Sequence, residues 1–226
     1  MQYSNISEGI FLSRPNRFIA QVEIEGREET VHVKNTGRCK ELLIPGTKVL
    51  LTGSANPARK TAYDLVSVYK GDRLVNMDSQ APNEMAAEWV RGGGLIPGVT
   101  AVRREKVFGN SRFDLYIEAG ERRIFMEVKG VTLEENGVAR FPDAPTERGV
   151  KHVEELAECV KAGYEAYLLF VVQMKGVTRL EPNWQTHPAF GEALRYASLQ
   201  GVRILAYDCR VFPGTVEIDS PVPVKI

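Results

Sequence analysis

The sequence predicts a mixed α/β (α+β) fold in two parts, a small β-barrel over residues 1–80 and a mixed-sheet domain with helices over residues 81–226. Three observations predict it. The first 80 residues break into about five short apolar runs divided by turn residues. From residue 82 helical periodicity begins to alternate with strand-like runs. Within that second region "AYLLFVVQ" is almost wholly apolar, as a central strand covered on both faces requires.

The barrel strands are "GIFLSR", "RFIAQVEI", "ETVHVKN", "TKVLLTG" and "TAYDLVSVY". Asn35-Thr36-Gly37, Pro45-Gly46 and Ser54 to Pro57 supply turn chemistry between them. Five short strands at this spacing suit a small barrel of the OB type. The second part opens with "PNEMAAEWVRGG", where Pro82 suits a helix start and the glycine run a stop. Three strand-like runs follow, at about 99–108, 112–118 and 122–129. "ERGVKHVEELAECVKAGY" is the clearest helix. Val150, Val153, Leu156, Ala157 and Val160 share one face, and Gly163 ends it. After the apolar strand come a helix at about 188–200 and a strand at about 202–208.

Of the 226 residues 26% are charged and 43% hydrophobic, which permits a core of ordinary size. The net charge is zero, so any anion-binding surface must come from local clustering. Cys39, Cys159 and Cys209 stand far apart with no CxxC pair, which argues against a zinc ribbon or a disulfide framework and fits a reducing compartment. "MQYSNISEGI" has no signal-peptide pattern, and no apolar run is long enough for a bilayer. The expectation is a cytoplasmic protein without membrane association.

The residues that carry chemistry stand in "RFDLYIEAGERRIFMEVKGVTL", residues 112–133. It reads as a hairpin, yet Asp114 interrupts the first apolar run and Glu127 and Lys129 the second. Ionised groups are costly where a strand packs apolar surface. Glu127 and Lys129 point to one face because strand side chains alternate, and a hairpin pairing brings Asp114 to the same place. Two carboxylates can hold Mg²⁺ together with waters and phosphate oxygens. The metal can polarise a phosphodiester and lower the pKa of a bound water, and a lysine beside it can orient that water or stabilise developing charge. A Glu-x-Lys tripeptide alone is weak evidence, since alternating charges also describe a solvated strand face with a cross-strand salt bridge. The setting strengthens it: Asp, hairpin, Glu-x-Lys, amphipathic helix, apolar strand.

"RFDLYI…FMEVKGVTL" resembles the PD-(D/E)xK nuclease core, the restriction-endonuclease-like fold, with Asp114, Glu127 and Lys129 at the motif positions. Phe113 occupies the place of the motif's proline, which is often missing in that superfamily. More specifically, "NTGRCKELLIPG" at 35–46, "SRFDLYI" at 111–117, "EVKGVTL" at 127–133 and "FPDAPTERGVKHVEEL" at 141–156 are similar to the sugar fermentation stimulation protein family. The resemblance implies an N-terminal OB-fold domain, a nuclease-like second domain and DNA binding. It implies Asp114, Glu127 and the Val128 carbonyl as metal ligands, with Mg²⁺ as the ion and Mn²⁺ an alternative, and Lys129 acting on the attacking water. It also implies an acid on the first core helix, for which Glu88 is preferred to Glu84. Many nucleases of this core act as pairs, so a homodimer is one expected state.

Two further segments offer cations. Arg148 and Lys151 lie three apart on the first turns after "FPDAPT", where Asp143 or Thr146 can cap the helix and free N–H groups favour an anion. His152 reads as structural or solvated rather than as a general base. Arg14 and Arg17 flank the turn in "SRPNRF", and Arg38 and Lys40 follow the turn at Gly37. Such loop cations can track a nucleic-acid backbone or can simply be solvated. Two functions from different classes stay open: a Mg²⁺-dependent nuclease, and a non-catalytic DNA-binding regulator with a vestigial site. A scaffold for a protein partner is a third, disfavoured by the intact acidic trio.

Overall fold

The fold is that of a computed structural model, which describes residues 1–35, 37–54 and 58–226. Thr36 and residues 55–57 of the predicted turns lie outside the described residues. The first part contains β1 (Ile6–Asn16), β2 (Ile19–Ile24), β3 (Arg27–Val33), β4 (Lys48–Gly53), β5 (Tyr63–Lys70) and β6 (Arg73–Asn76). They pair in the order β3-β2-β1-β4-β5-β6, and β3 also pairs with β5 through His32↔Asp64 and Val33↔Leu65. That last pairing closes five strands into a barrel, as the turn spacing predicts. Phe11, Ala20, Val22, Val31, Val33, Leu51, Leu65 and Val68 fill it. At the seam, Asp64 accepts hydrogen bonds from Arg59 at 2.6 and 3.0 Å and meets His32 Nδ1 at 2.9 Å. These partners outweigh burial and hold its carboxyl below the usual range.

The second part runs α1 (Ala81–Arg91), β7 (Ala101–Phe108), β8 (Ser111–Ala119), β9 (Arg122–Val131), β10 (Glu134–Glu135), β11 (Val138–Phe141), α2 (Glu147–Lys161), β12 (Glu165–Val172), β13 (Arg179–Pro182), α3 (Pro188–Leu199), β14 (Arg203–Phe212) and β15 (Thr215–Val222). Its main sheet has the order β15-β14-β12-β9-β8-β7. β12 lies parallel to both β9 and β14, and the other pairs are antiparallel. A small sheet, β10-β11-β13, forms beside it. β12 is the predicted central strand. Tyr167, Leu169 and Val171 face α1, while Leu168, Phe170 and Val172 face the side of α2 and α3. Burying each such side chain contributes about 1.5–3 kcal/mol, which is why a continuous apolar run belongs here.

A buried polar network joins the two parts. Asp78 accepts from Lys34 at 2.7 Å, from Tyr3 at 3.2 Å and from the Gln80 amide at 2.9 Å. Gln173, at the end of β12, donates to Asn76 Oδ1 at 2.8 Å and to the Asp78 carbonyl at 3.0 Å. Lys70 and Arg73 from the barrel pair with Glu134 of β10 at 2.7 and 2.9 Å. The three cysteines are free and buried. Among the described residues no helix is long and apolar enough to cross a membrane.

Candidate metal and nucleic-acid site

β8 and β9 pair regularly as far as Leu115↔Met126. The next residues are Asp114 and Glu127, where the paired register ends. Asp114 takes over the ladder's work there: its Oδ2 accepts the Val128 amide at 2.8 Å, and its Oδ1 accepts Asn83 Nδ2 of α1 at 2.8 Å. Burial, and then the neighbouring Glu127 charge, push its carboxyl up to about 6, against the bonds from Val128 and Asn83.

Glu127 is 2% exposed. Burial alone would raise its pKa, but the hydrogen bond from His152 and the charge and hydrogen bond of Lys129 outweigh it and hold the carboxyl below its usual value. Both partners use one oxygen: Oε1 lies 2.6 Å from Lys129 Nζ and 2.5 Å from His152 Nδ1. The other, Oε2, is buried and has no hydrogen-bond partner. Buried polar atoms are normally satisfied, so this orphaned anionic oxygen beside a second carboxylate is what a hard cation fits. Among the described residues no three His, Cys, Asp or Glu side chains converge as a closed metal cage. An ion here would rest on two carboxylates, with backbone, water or phosphate oxygens completing its shell, as Mg²⁺ and Ca²⁺ accept.

α2 supplies the wall behind Glu127. Its N-cap is Thr146, whose Oγ1 accepts the Gly149 amide at 3.0 Å. His152 is 6% exposed, packed against the site rather than solvated. Arg148 Nε donates to His152 Nε2 at 3.4 Å, which leaves the ring proton on Nδ1, facing Glu127. Arg148 therefore reaches the site through the histidine. Lys151 leans toward the β7–β8 turn, with Nζ 3.4 Å from the Asn110 carbonyl and 3.8 Å from Glu155.

The structure does not bring Glu88 to the carboxylate pair. Its Oε2 meets the Met1 ammonium at 2.9 Å, and Glu84 pairs with Arg104 at 3.0 Å. Asn83 is the α1 residue facing Asp114, and five residues further along a helix points about 140° away. Arg14 likewise differs from the expected phosphate contact. Its guanidinium donates to the carbonyls of Arg17, Asn35, Gly37 and Arg38 at 2.6–2.9 Å. It braces two turns by satisfying their carbonyls. The brace presents Arg17, Arg38 and Lys40 around a cleft of about 470 Å³ that Ala144 completes. All three are exposed and in no ion pair among the described residues. The Arg17 guanidinium lies 5.7 Å from the ring centre of Phe18, itself 50% exposed.

Sequence reasoning missed Asn83; His152, read as structural or solvated, is buried and structural, with Glu127 as the partner that the sequence did not name. The Arg148–His152 spacing of four was a usable signal, because such residues meet on a helix face. No comparable signal marks Asn83.

Comparison with known proteins agrees with this architecture. The family model described as the SfsA N-terminal OB domain matches residues 12–77, and that of the sugar fermentation stimulation protein RE domain matches residues 80–215. A sugar fermentation stimulation protein homolog of Desulfitobacterium hafniense (strain Y51) is 59% identical over 226 residues, covering 100% of this chain and 99% of that one. Its counterpart in Ruminiclostridium cellulolyticum is 57% identical over the full length of both. The solved structure of Pyrococcus furiosus SfsA in complex with Ca²⁺ matches with a TM-score of 0.91 at 30% identity, covering 100% of this chain and 98% of that one. The chain belongs to the sugar fermentation stimulation protein family.

Proposed function

We propose that this protein binds nucleic acid, DNA foremost, and hydrolyses its phosphodiester backbone with a divalent cation held by Asp114 and Glu127. The observation that carries this reading is the partnerless Glu127 Oε2 beside Asp114 at the parting of β8 and β9. The Ca²⁺ bound by the Pyrococcus furiosus relative supports a hard-cation preference in a similar chain. When bound, the cation supplies Lewis-acid polarisation of the phosphodiester. Mg²⁺ is the working ion proposed, with Mn²⁺ as its substitute.

The chain's own groups divide the rest of the work. Glu127 stays ionised at neutral pH because His152 and Lys129 hold it so. Lys129 has three N–H donors; one is on Glu127, and the others are free to orient a water or to meet charge growing on the phosphate. Arg148 and Lys151 stand at the start of α2 for the adjacent phosphate. Arg17, Arg38 and Lys40 on the barrel track the backbone further along.

Purified protein incubated with end-labelled single- and double-stranded DNA tests the reading. Cleavage in Mg²⁺, absent in EDTA and reduced at least 10³-fold in Glu127→Gln, is expected. Failure to cut any substrate in Mg²⁺ or Mn²⁺, with binding intact, would return the protein to a non-catalytic DNA-binding role.

A further inference from the structure

A cavity of about 200 Å³ lies between the barrel and the main sheet. Residues far apart in sequence line it: Asn35 and Gly37 after β3, Ser79 before α1, Gly130 to Leu133 at the end of β9, Arg140 and Phe141 of β11 with Asp143 beyond them, and Gln173. Gly130 directly follows Lys129 and stands three residues along β9 from Glu127, so the cavity adjoins the strand that carries the site. On its other side Gly37 also lines the basic cleft of Arg17, Arg38 and Lys40. The cavity thus stands between the proposed backbone track and the proposed reacting centre.

Its lining is built for hydrogen bonding. Gln173 is 1% exposed, and its amide nitrogen is committed to Asn76 and Asp78. Its Oε1 accepts no hydrogen bond among the described residues and sits against Gly130, where a Cβ would come within 2.6 Å of it. Asp143 has no ion pair among the described residues, although Arg140 lines the same space and pairs with Glu135 at 3.1 Å. A side chain on Gly37 would close the cavity from the barrel side, its Cβ 2.7 Å from Asp143 Oδ2. The volume falls below the roughly 300–1,000 Å³ of sites for drug-sized ligands, so it suits one ring system rather than a whole nucleotide.

We propose that this cavity is a nucleobase subsite, which takes the unpaired base of a nucleotide whose phosphate lies at Asp114, Glu127 and Lys129. The proposal rests on the nuclease reading above and adds to it a need for an unpaired base and a preference among bases. Gln173 and Asp143, with acceptor oxygens, line the cavity together with Arg140, a donor. Guanine matches that set: its N1–H and N2–H groups serve the acceptors, and its O6 and N7 accept from arginine. A base enters such a pocket only when out of the duplex stack.

Equilibrium binding of short single-stranded oligonucleotides tests this, with Ca²⁺ present to offset the Asp114 and Glu127 charges and the intactness of each probe checked after titration. Each probe carries one dG, dA, dC, dT or abasic residue in an otherwise abasic strand. Wild type is expected to bind the dG probe at least tenfold more tightly than the abasic one. Asp143→Asn and Arg140→Ala are each expected to bring that ratio, taken against the same variant's affinity for the abasic strand, below threefold. Asp143 is exposed, so its replacement does not threaten folding. Equal affinity for all five probes, or a preference that survives both substitutions, would overturn the subsite. Mg²⁺-dependent cleavage without base preference leaves the nuclease reading standing and removes the subsite. Base preference without cleavage does the reverse, and no binding to any probe removes both.

Discussion

Replacing a proposed metal ligand should make the metal-free protein more stable, and Asp114 is where the size of the effect can be worked out. Its carboxyl is raised from 3.8 to about 6 by burial and by Glu127. At about 1.4 kcal/mol per pH unit, keeping it ionised costs the metal-free fold roughly 3 kcal/mol. The sign follows from the raised pKa: the unfolded chain releases this proton near pH 4 and the folded chain near pH 6. The folded state therefore loses stability as pH rises from about 4 through 6, and the whole cost is present above that. Asp114→Asn removes the cost. It also leaves one acceptor oxygen for two donors, the Val128 amide and Asn83. Asn83 can turn its amide to offer Oδ1 instead, so the loss is about 1 kcal/mol. The variant should be about 2 kcal/mol more stable than wild type at pH 7.5, and equal or slightly weaker at pH 4. Urea unfolding of both proteins in EDTA at several pH values measures this. Added Ca²⁺ should then stabilise wild type and not the variant, reversing the order. A stability difference that stays constant from pH 4 to 8 would refute the account of a carboxylate held in a cation site without its cation.

Other expectations follow from the same geometry. His152→Ala should weaken Ca²⁺ affinity by about 10–100-fold, as loss of a residue orienting a ligand does, and calorimetric titration would show no change if Glu127 needs no such support. Arg14→Ala removes four hydrogen bonds to turn carbonyls and should cost about 2–3 kcal/mol in urea unfolding; an unchanged midpoint would show that water satisfies those carbonyls equally well. Lys40→Ala and Arg38→Ala should each lower the slope of log affinity against log salt for DNA by about 1, and unchanged slopes would remove the barrel cleft from the DNA path.

The barrel strands, the three helices and β12 were legible because each carries a repeated local signal, whether alternation, a helical face or an apolar run. β6, β10, β11 and β13 have two to four residues, too few to express a period; β6 borrows the edge of β5, and the other three pair with one another. β15 hides its pairing under charges and a proline, as an edge strand can. Asp114 and Glu127 could be read because a charge inside an apolar strand is conspicuous and hairpin register is predictable. Glu88 and Asn83 turn on the rotation of α1 over the sheet, which both faces of a small, alanine-rich helix leave open. Arg14 stood in the right kind of loop for a phosphate contact. Its actual partners are carbonyls of two turns about twenty residues apart, brought together by the pairing of β2 with β3, where Ile19 stands opposite His32.

The polar junction around Asp78 bears on how this architecture can be inherited. Asp78 and Asn76 are wholly buried and Gln173 nearly so, and the Gln173 amide crosses the junction to the Asn76 side chain and the Asp78 carbonyl. Severing the chain near residue 80 would strip the Gln173 amide from the Asn76 and Asp78 oxygens and Glu134 from Lys70 and Arg73, leaving unpartnered polar groups on both fragments. Such fragments should aggregate or stay unfolded rather than report half an activity, and the intact protein should melt in one cooperative transition. The barrel is then not a portable module that recombination can attach to other proteins. Lineages carrying this fold would gain or lose it as one piece.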